Sequence, residues 1–112
     1  MVSAYVPDRG DLIWLQFDPQ AGREQARHLP ALVLSPARYN RFGLAIVCPI
    51  TSRAKGYPWE VSLPDGLAVS GVVLSDQLKS VDWSARKAQL KAKAPSAVLD
   101  DVLAKIAPLL AL

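Results

Sequence analysis

The stretch AGREQARHLPALVLSP, Ala21 to Pro36, sets an acid, an amide, a guanidinium and an imidazole side by side at Glu24, Gln25, Arg27 and His28. All four stand ahead of an apolar run, with Leu29 among them. Such groups can hold and move protons, and an imidazole with an ordinary pKa of about 6.5 suits acid–base work near neutrality. A second group follows at Thr51, Ser52, Arg53 and Lys55, two hydroxyls and then two cations. A third is basic: Lys79, Arg86, Lys87, Lys91 and Lys93 face only one acid, Asp82, over residues 79–93. That run reads either as a solvated face or as a surface that tracks phosphates. One histidine and one cysteine leave no metal-ligand spacing, so neither metal nor cofactor is expected. Cys48, inside LAIVCPI, reads as a buried structural thiol rather than a nucleophile.

These groups need a scaffold, and 112 residues make one domain spanning 1–112. A hydrophobic share of 51% excludes general disorder, while 21% charged residues suit a soluble chain. The net charge of +3 and pI near 9.2 lean towards anionic partners. The longest apolar stretch is about seven residues against the roughly 20 of a membrane span. The N-terminus has no apolar signal region, so a cytoplasmic protein without membrane contact is expected.

LIWLQF, ALVL and LAIVCPI read as strands, WEVSL as a half-buried fourth, and GVVLSDQLKSV as largely strand. The segment WSARKAQLKAKA is ambiguous between strand and helix. Pro36–Gly43 has room for one helical turn, stopped at the glycine. Val98, Leu99, Val102, Leu103 and Ile106 form one helix stripe, with Pro95 at its start and Pro108 at its end. Short strands and a terminal helix predict a mainly β, α+β fold, a small barrel or strongly twisted sheet.

The residues go further. MVSAYVPDRGDLIWLQFDPQAGREQARHLPALVLSP, RYN at Arg38–Asn40, TSRAKGYPWEV at Thr51–Val61 and SGVVLSDQLKSVDWSAR at Ser70–Arg86 together resemble the MazF toxins, the PemK-like family of bacterial toxin–antitoxin pairs. The resemblance implies an SH3-like barrel of the PemK/CcdB-like kind with a C-terminal helix, forming a homodimer. It implies a metal-independent endoribonuclease that cuts single-stranded RNA at short motifs and arrests growth. It also implies a cognate MazE-like antitoxin whose acidic, partly disordered tail lies across the RNA groove. An ACA-centred cleavage motif is the first expectation.

Metal-free RNA cleavage uses the substrate's own 2′-hydroxyl against the adjacent phosphorus, leaving a 2′,3′-cyclic phosphate and a 5′-hydroxyl. The protein supplies a base, an acid and groups that stabilise the phosphorane. By the resemblance, Glu24 takes the proton and Thr51 is the catalytic threonine. Gln25, Ser52, Arg53, Lys55, Gln77, Lys79 and Arg86 become RNA contacts, cations for phosphate and amides for base edges. His28 joins them as a rim residue. Trp14 and Trp59 are stacking candidates, although a tryptophan in a strand is more often core.

Where the family carries its catalytic arginine, immediately before the proline, this chain has Leu29. Two explanations stand. Arg27 shares a strand face with position 29 and extends a substitute guanidinium, or the leucine marks an inactivated nuclease. The weight falls on inactivation, because a leucine in a polar loop answers no demand of folding. Two rival functions remain: a non-catalytic RNA- or peptide-binding module, and a gyrase-poisoning toxin. The second relies on a Trp-Gly-Ile ending, and this chain ends Leu-Ala-Leu.

Overall fold

Apolar residues follow one another without alternation in LIWL, ALVL and AIVC, the pattern of strands covered on both faces. In the computed structural model, which describes residues 5–17 and 27–112, these runs lie in the central strands of an antiparallel sheet. They are β1 (Asp11–Phe17), β2 (Arg27–Val33) and β3 (Leu44–Thr51). Four shorter strands join them: β4 (Glu60–Ser62), β5 (Val72–Leu74), β6 (Lys79–Asp82) and β7 (Gln89–Lys93). The helices are α1 (Ala37–Asn40) and α2 (Ser96–Ile106), with a 3-10 turn at Ala107–Leu110. None is long and apolar enough to cross a membrane.

The sheet runs β4-β5-β3-β2-β1-β7, with β6 also on β3. It is the expected mainly β architecture with a C-terminal helix. Its path is open among the described residues, because its end strands β4 and β7 do not pair with each other, so its hydrogen bonds do not close a barrel. GVVLSDQLKSV is two strands instead of one. A turn over 75–78 separates β5 from β6, and both lie on the same edge of β3. QLKAK, ambiguous in sequence, is β7 on the outer edge of β1.

One side of the sheet carries Leu12, Leu32, Cys48 and Ile50 against Val98, Val102 and Ile106 of α2. The other carries Ile13, Leu15, Ala31, Val33 and Val47, packed with Tyr5, Trp83 and Ala88. Polar groups pin the layers where apolar ones cannot. The buried Asn40 amide donates to the carbonyls of Pro7 and Ser35 at 2.7 and 2.8 Å, and its carbonyl oxygen accepts from the Ser35 hydroxyl. Asp11, fully buried, accepts from the Tyr5 hydroxyl and the Lys93 ammonium. Burial, and then that hydrogen bond, push the Tyr5 phenol above its ordinary range. Asp8, accepting from the amides of Ala37 and Arg9, is held below the usual carboxylate range. Its contribution is therefore present above about pH 3.9, the unfolded value, and is lost as the pH falls through the lower folded value.

Gly71 has φ +121°, and a Cβ there would lie 2.3 Å from the Thr51 carbonyl oxygen. Only a glycine lets β5 enter this close to the end of β3. Gly71→Ala is expected to destabilise the fold by at least about 1 kcal/mol, read from urea unfolding; an unchanged midpoint would contradict this. Cys48 is fully buried, and burial, helped by the Asp76 charge, pushes its thiol up to about 12. Native protein at pH 8 is expected to resist iodoacetamide while protein in denaturant reacts; equal rates would place the thiol outside the core.

Candidate functional site

Neither Pro30 nor Pro49 has an N–H to give to a ladder. The β2–β3 ladder runs from Val33↔Val47 through Leu32↔Cys48 and ends at Ala31↔Pro49. Continued two residues, the same register would bring Leu29 level with Thr51. Where the pairing stops, a small notch opens between Leu29, Pro30, Pro49 and Lys79. Thr51, two residues beyond Pro49, lines a larger cavity of about 330 Å3.

Leu29 is not in a loop. It is a strand residue paired with Leu15, about 40% exposed, and it shares the notch with Leu15, Val47 and Val81. A leucine here has apolar neighbours, so packing alone gives it a reason to be present. The segment is strand and not the polar loop its composition suggests, so folding does account for a leucine. The absence of a guanidinium at this position stands.

Thr51 ends β3 opposite Val72. Its hydroxyl oxygen accepts the Arg53 amide hydrogen at 3.1 Å, a local turn that leaves the hydroxyl hydrogen free to donate outward. The segment that follows is held by Glu60. Its carboxylate accepts from the amides of Lys55 and Gly56, each at 3.1 Å. Gly56 takes φ +80°, a conformation that favours glycine. Tyr57 and Trp59 stack with centroids 4.9 Å apart and planes 15° apart. Both rings line the Thr51 cavity, as do Arg53, Lys55, Leu74, Asp76 and Gln77.

The structure thus lines one cavity with Thr51, Arg53, Lys55 and Gln77, and a separate notch with Leu29 and Lys79. Ser52 is exposed between Thr51 and Arg53. His28 is not brought to them. Paired with Gln16, it lies beside Trp14 with ring centroids 5.4 Å apart, one residue out of phase with Leu29 and so on the other face of the strand. Trp14 also carries the Lys91 ammonium 4.6 Å from its ring centroid. Arg86 sits in the turn before β7, where its carbonyl accepts from the Gln16 amide at 2.7 Å. Arg27 pairs with Phe17 through the backbone. Its side chain, and the whole of Glu24 and Gln25, lie outside the described residues. Among the described residues no three His, Cys, Asp or Glu side chains converge as metal ligands.

Sequence reasoning missed Tyr57, Glu60 and Asp76. For Tyr57 the signal was available: in GYPW the two rings are two residues apart, the spacing that puts extended side chains on one side. An acid among cations gave no comparable signal for Asp76.

The family described as PemK-like, MazF-like toxin of type II toxin-antitoxin system matches residues 8–110. Endoribonuclease toxin MazF of Escherichia coli strain K12 is 51% identical over 107 residues, covering 95% of this chain and 96% of the relative. Endoribonuclease PemK of Escherichia coli is 33% identical, with coverages of 92% and 81%. The Form-II crystal structure of MazE-MazF from Deinococcus radiodurans superposes with a TM-score of 0.92 at 57% identity, covering 97% of this chain and 99% of that one. With the family model matched over residues 8–110 and the fold superposed along nearly the whole length, this chain belongs to the PemK-like, MazF-like family of type II toxin–antitoxin toxins.

Proposed function

We propose that this chain is a toxin endoribonuclease that cuts single-stranded RNA without a metal, by attack of the 2′-hydroxyl on the adjacent phosphorus. The P–O2′ bond forms and the P–O5′ bond breaks. The 2′-oxygen gives its proton to a base, and the departing 5′-oxygen receives one. The products carry a 2′,3′-cyclic phosphate and a 5′-hydroxyl. The observation that carries this reading is the Thr51 hydroxyl, whose hydrogen has no acceptor among the described residues, in a cavity lined by Arg53 and Lys55. Thr51 donates to a non-bridging oxygen of the phosphate, and the cations offset its charge. Glu24 is assigned the role of base by its position in the family's motif.

The relatives' names support the nuclease over the gyrase-poisoning rival. Crystals of MazE with MazF support an antitoxin of that type as the second partner. The chain is expected to work as a homodimer, in the cytoplasm. ACA-centred cutting is its starting assumption, to be checked on fragment ends.

Leu29 impairs the chemistry. The β2–β3 register, continued two residues past its last pair, would set it level with Thr51, and a leucine brings no charge to the phosphorane. Removing one preorganised donor costs about 3–4 kcal/mol, or roughly 10²–10³ in rate. Its partial exposure leaves room for a longer side chain that reaches outward.

Leu29→Arg is expected to raise the cleavage rate of a long single-stranded RNA roughly 10²–10³-fold, followed on a gel with EDTA present. Fast cutting by the unaltered chain would transfer the donor role to Arg27. RNA that stays bound yet uncut after Leu29→Arg would favour the non-catalytic module. In the Leu29→Arg protein, Thr51→Val is expected to remove most of that gain with little change in RNA affinity. Retained activity would eliminate Thr51 as the phosphate donor.

A further inference from the structure

The turn over 75–78, between β5 and β6, buries a group that works against its own closure. The Ser75 side chain is fully buried, and its hydroxyl reaches no hydrogen-bond partner among the described residues. A hydroxyl kept from both water and a partner is destabilising. The turn's polar ties are weak. The Ser75 amide donates to the Trp59 carbonyl at 3.2 Å, and the Gln77 amide to the Leu74 carbonyl at 3.1 Å. The Ser75 carbonyl receives only the Cys48 thiol, a poor donor, at 3.9 Å. Cys48 and Pro49 fall in the gap between the last β6 pair, Val47↔Lys79, and the first β5 pair, Ile50↔Val73. Pro49 has no N–H to offer across that gap. Leu78, partly buried against the core, is the apolar contact that shuts the turn.

We propose that residues 75–78 open as a local unit, hinged at the ends of β5 and β6, and so form a movable wall of the Thr51 cavity. Asp76 and Gln77, which line that cavity, ride on the turn. Thr51 stays behind, because its backbone pairs with Val72 and Gly71 lies against its carbonyl. Leu78 and the three polar ties hold the closed form. The open form gives the Ser75 hydroxyl its water, so serine sets the balance nearer to opening than alanine would. Opening also uncovers the Cys48 thiol, which is fully buried in the closed form. The device depends on the fold and not on the RNA-cleaving reading.

Cys48 is the only cysteine of the chain, so one thiol reports the opening. The full chain is mixed with excess chromogenic aryl disulfide at pH 8, over a series of urea concentrations below the unfolding transition. Labelling through global unfolding rises steeply with urea, whereas opening of a short segment exposes little surface and leaves the rate nearly flat. Without urea, Cys48 is expected to react on a flat branch at least roughly tenfold faster than global unfolding allows, and still far more slowly than in denaturant. Ser75→Ala is expected to slow that flat branch roughly five- to hundredfold. The Ser75 and Gln77 amides are expected to exchange with deuterium through the same opening, and the amides of β5 only through global unfolding. A serine with a merely structural role would shift the steep branch alone. The proposal is overturned by labelling that follows global unfolding at every urea concentration. A flat branch that Ser75→Ala leaves unchanged or accelerates would overturn it equally.

Discussion

Two missing backbone donors set the shape of the cleft, that of Pro30 on the edge facing β3 and that of Pro49 on the edge of β3 facing away from β2. Pro30 and Pro49 stand where the ladder between β2 and β3 gives out, and the sheet is divided there into a paired region and an opened end. Inside the paired region, apolar side chains are buried on both faces and the strands are held by α2 on one side and by Tyr5, Trp83 and Ala88 on the other. Beyond it, the ends of β2 and β3 keep their strand geometry without each other's hydrogen bonds. Leu29 and Thr51 stand at those ends. The cleft is thus a consequence of where pairing fails, anchored in the part where it succeeds.

The opposite edge of β3 completes the arrangement. Its first half pairs with β6 and its last residues with β5, and Pro49 falls at the changeover, after Val47↔Lys79 and before Ile50↔Val73. That handover brings the turn between β5 and β6 beside the strand's end, which is why Asp76 and Gln77 share a cavity with Thr51. The close approach of Gly71 to the Thr51 carbonyl fixes the same junction from the other side. Two strands and one glycine thereby hold the threonine backbone, while its hydroxyl is turned by the amide of Arg53.

Much of the scaffold could be read from the chain, because burial on both faces leaves uninterrupted apolar runs and a helix stripe leaves its own period. The terminal helix runs as its valines and leucines indicate. What escaped reading was polar or tertiary. Arg27–Pro30 looked like loop because two of its residues are ionisable and one is proline, yet it pairs with β1 along its length. That error also misjudged Leu29, whose apolar neighbours come from β1, β3 and β6. QLKAK is β7 with little burial of its own, so its pattern carried no clear period. Thr51 and its cations were legible only through the family's motif. Glu60 was not legible at all, since its role is defined by amides that no side-chain pattern reveals.

The Glu60 tether has an implication for how such a protein diversifies. The segment from Ser52 to Trp59 is fastened at its own base, by a carboxylate on the strand it leads into, and most of its residues are exposed. It is an insert with its own clasp, so its composition can drift without loosening the interior. A lineage built on this plan can vary the outer surface of that segment while inheriting the strands beneath it unchanged.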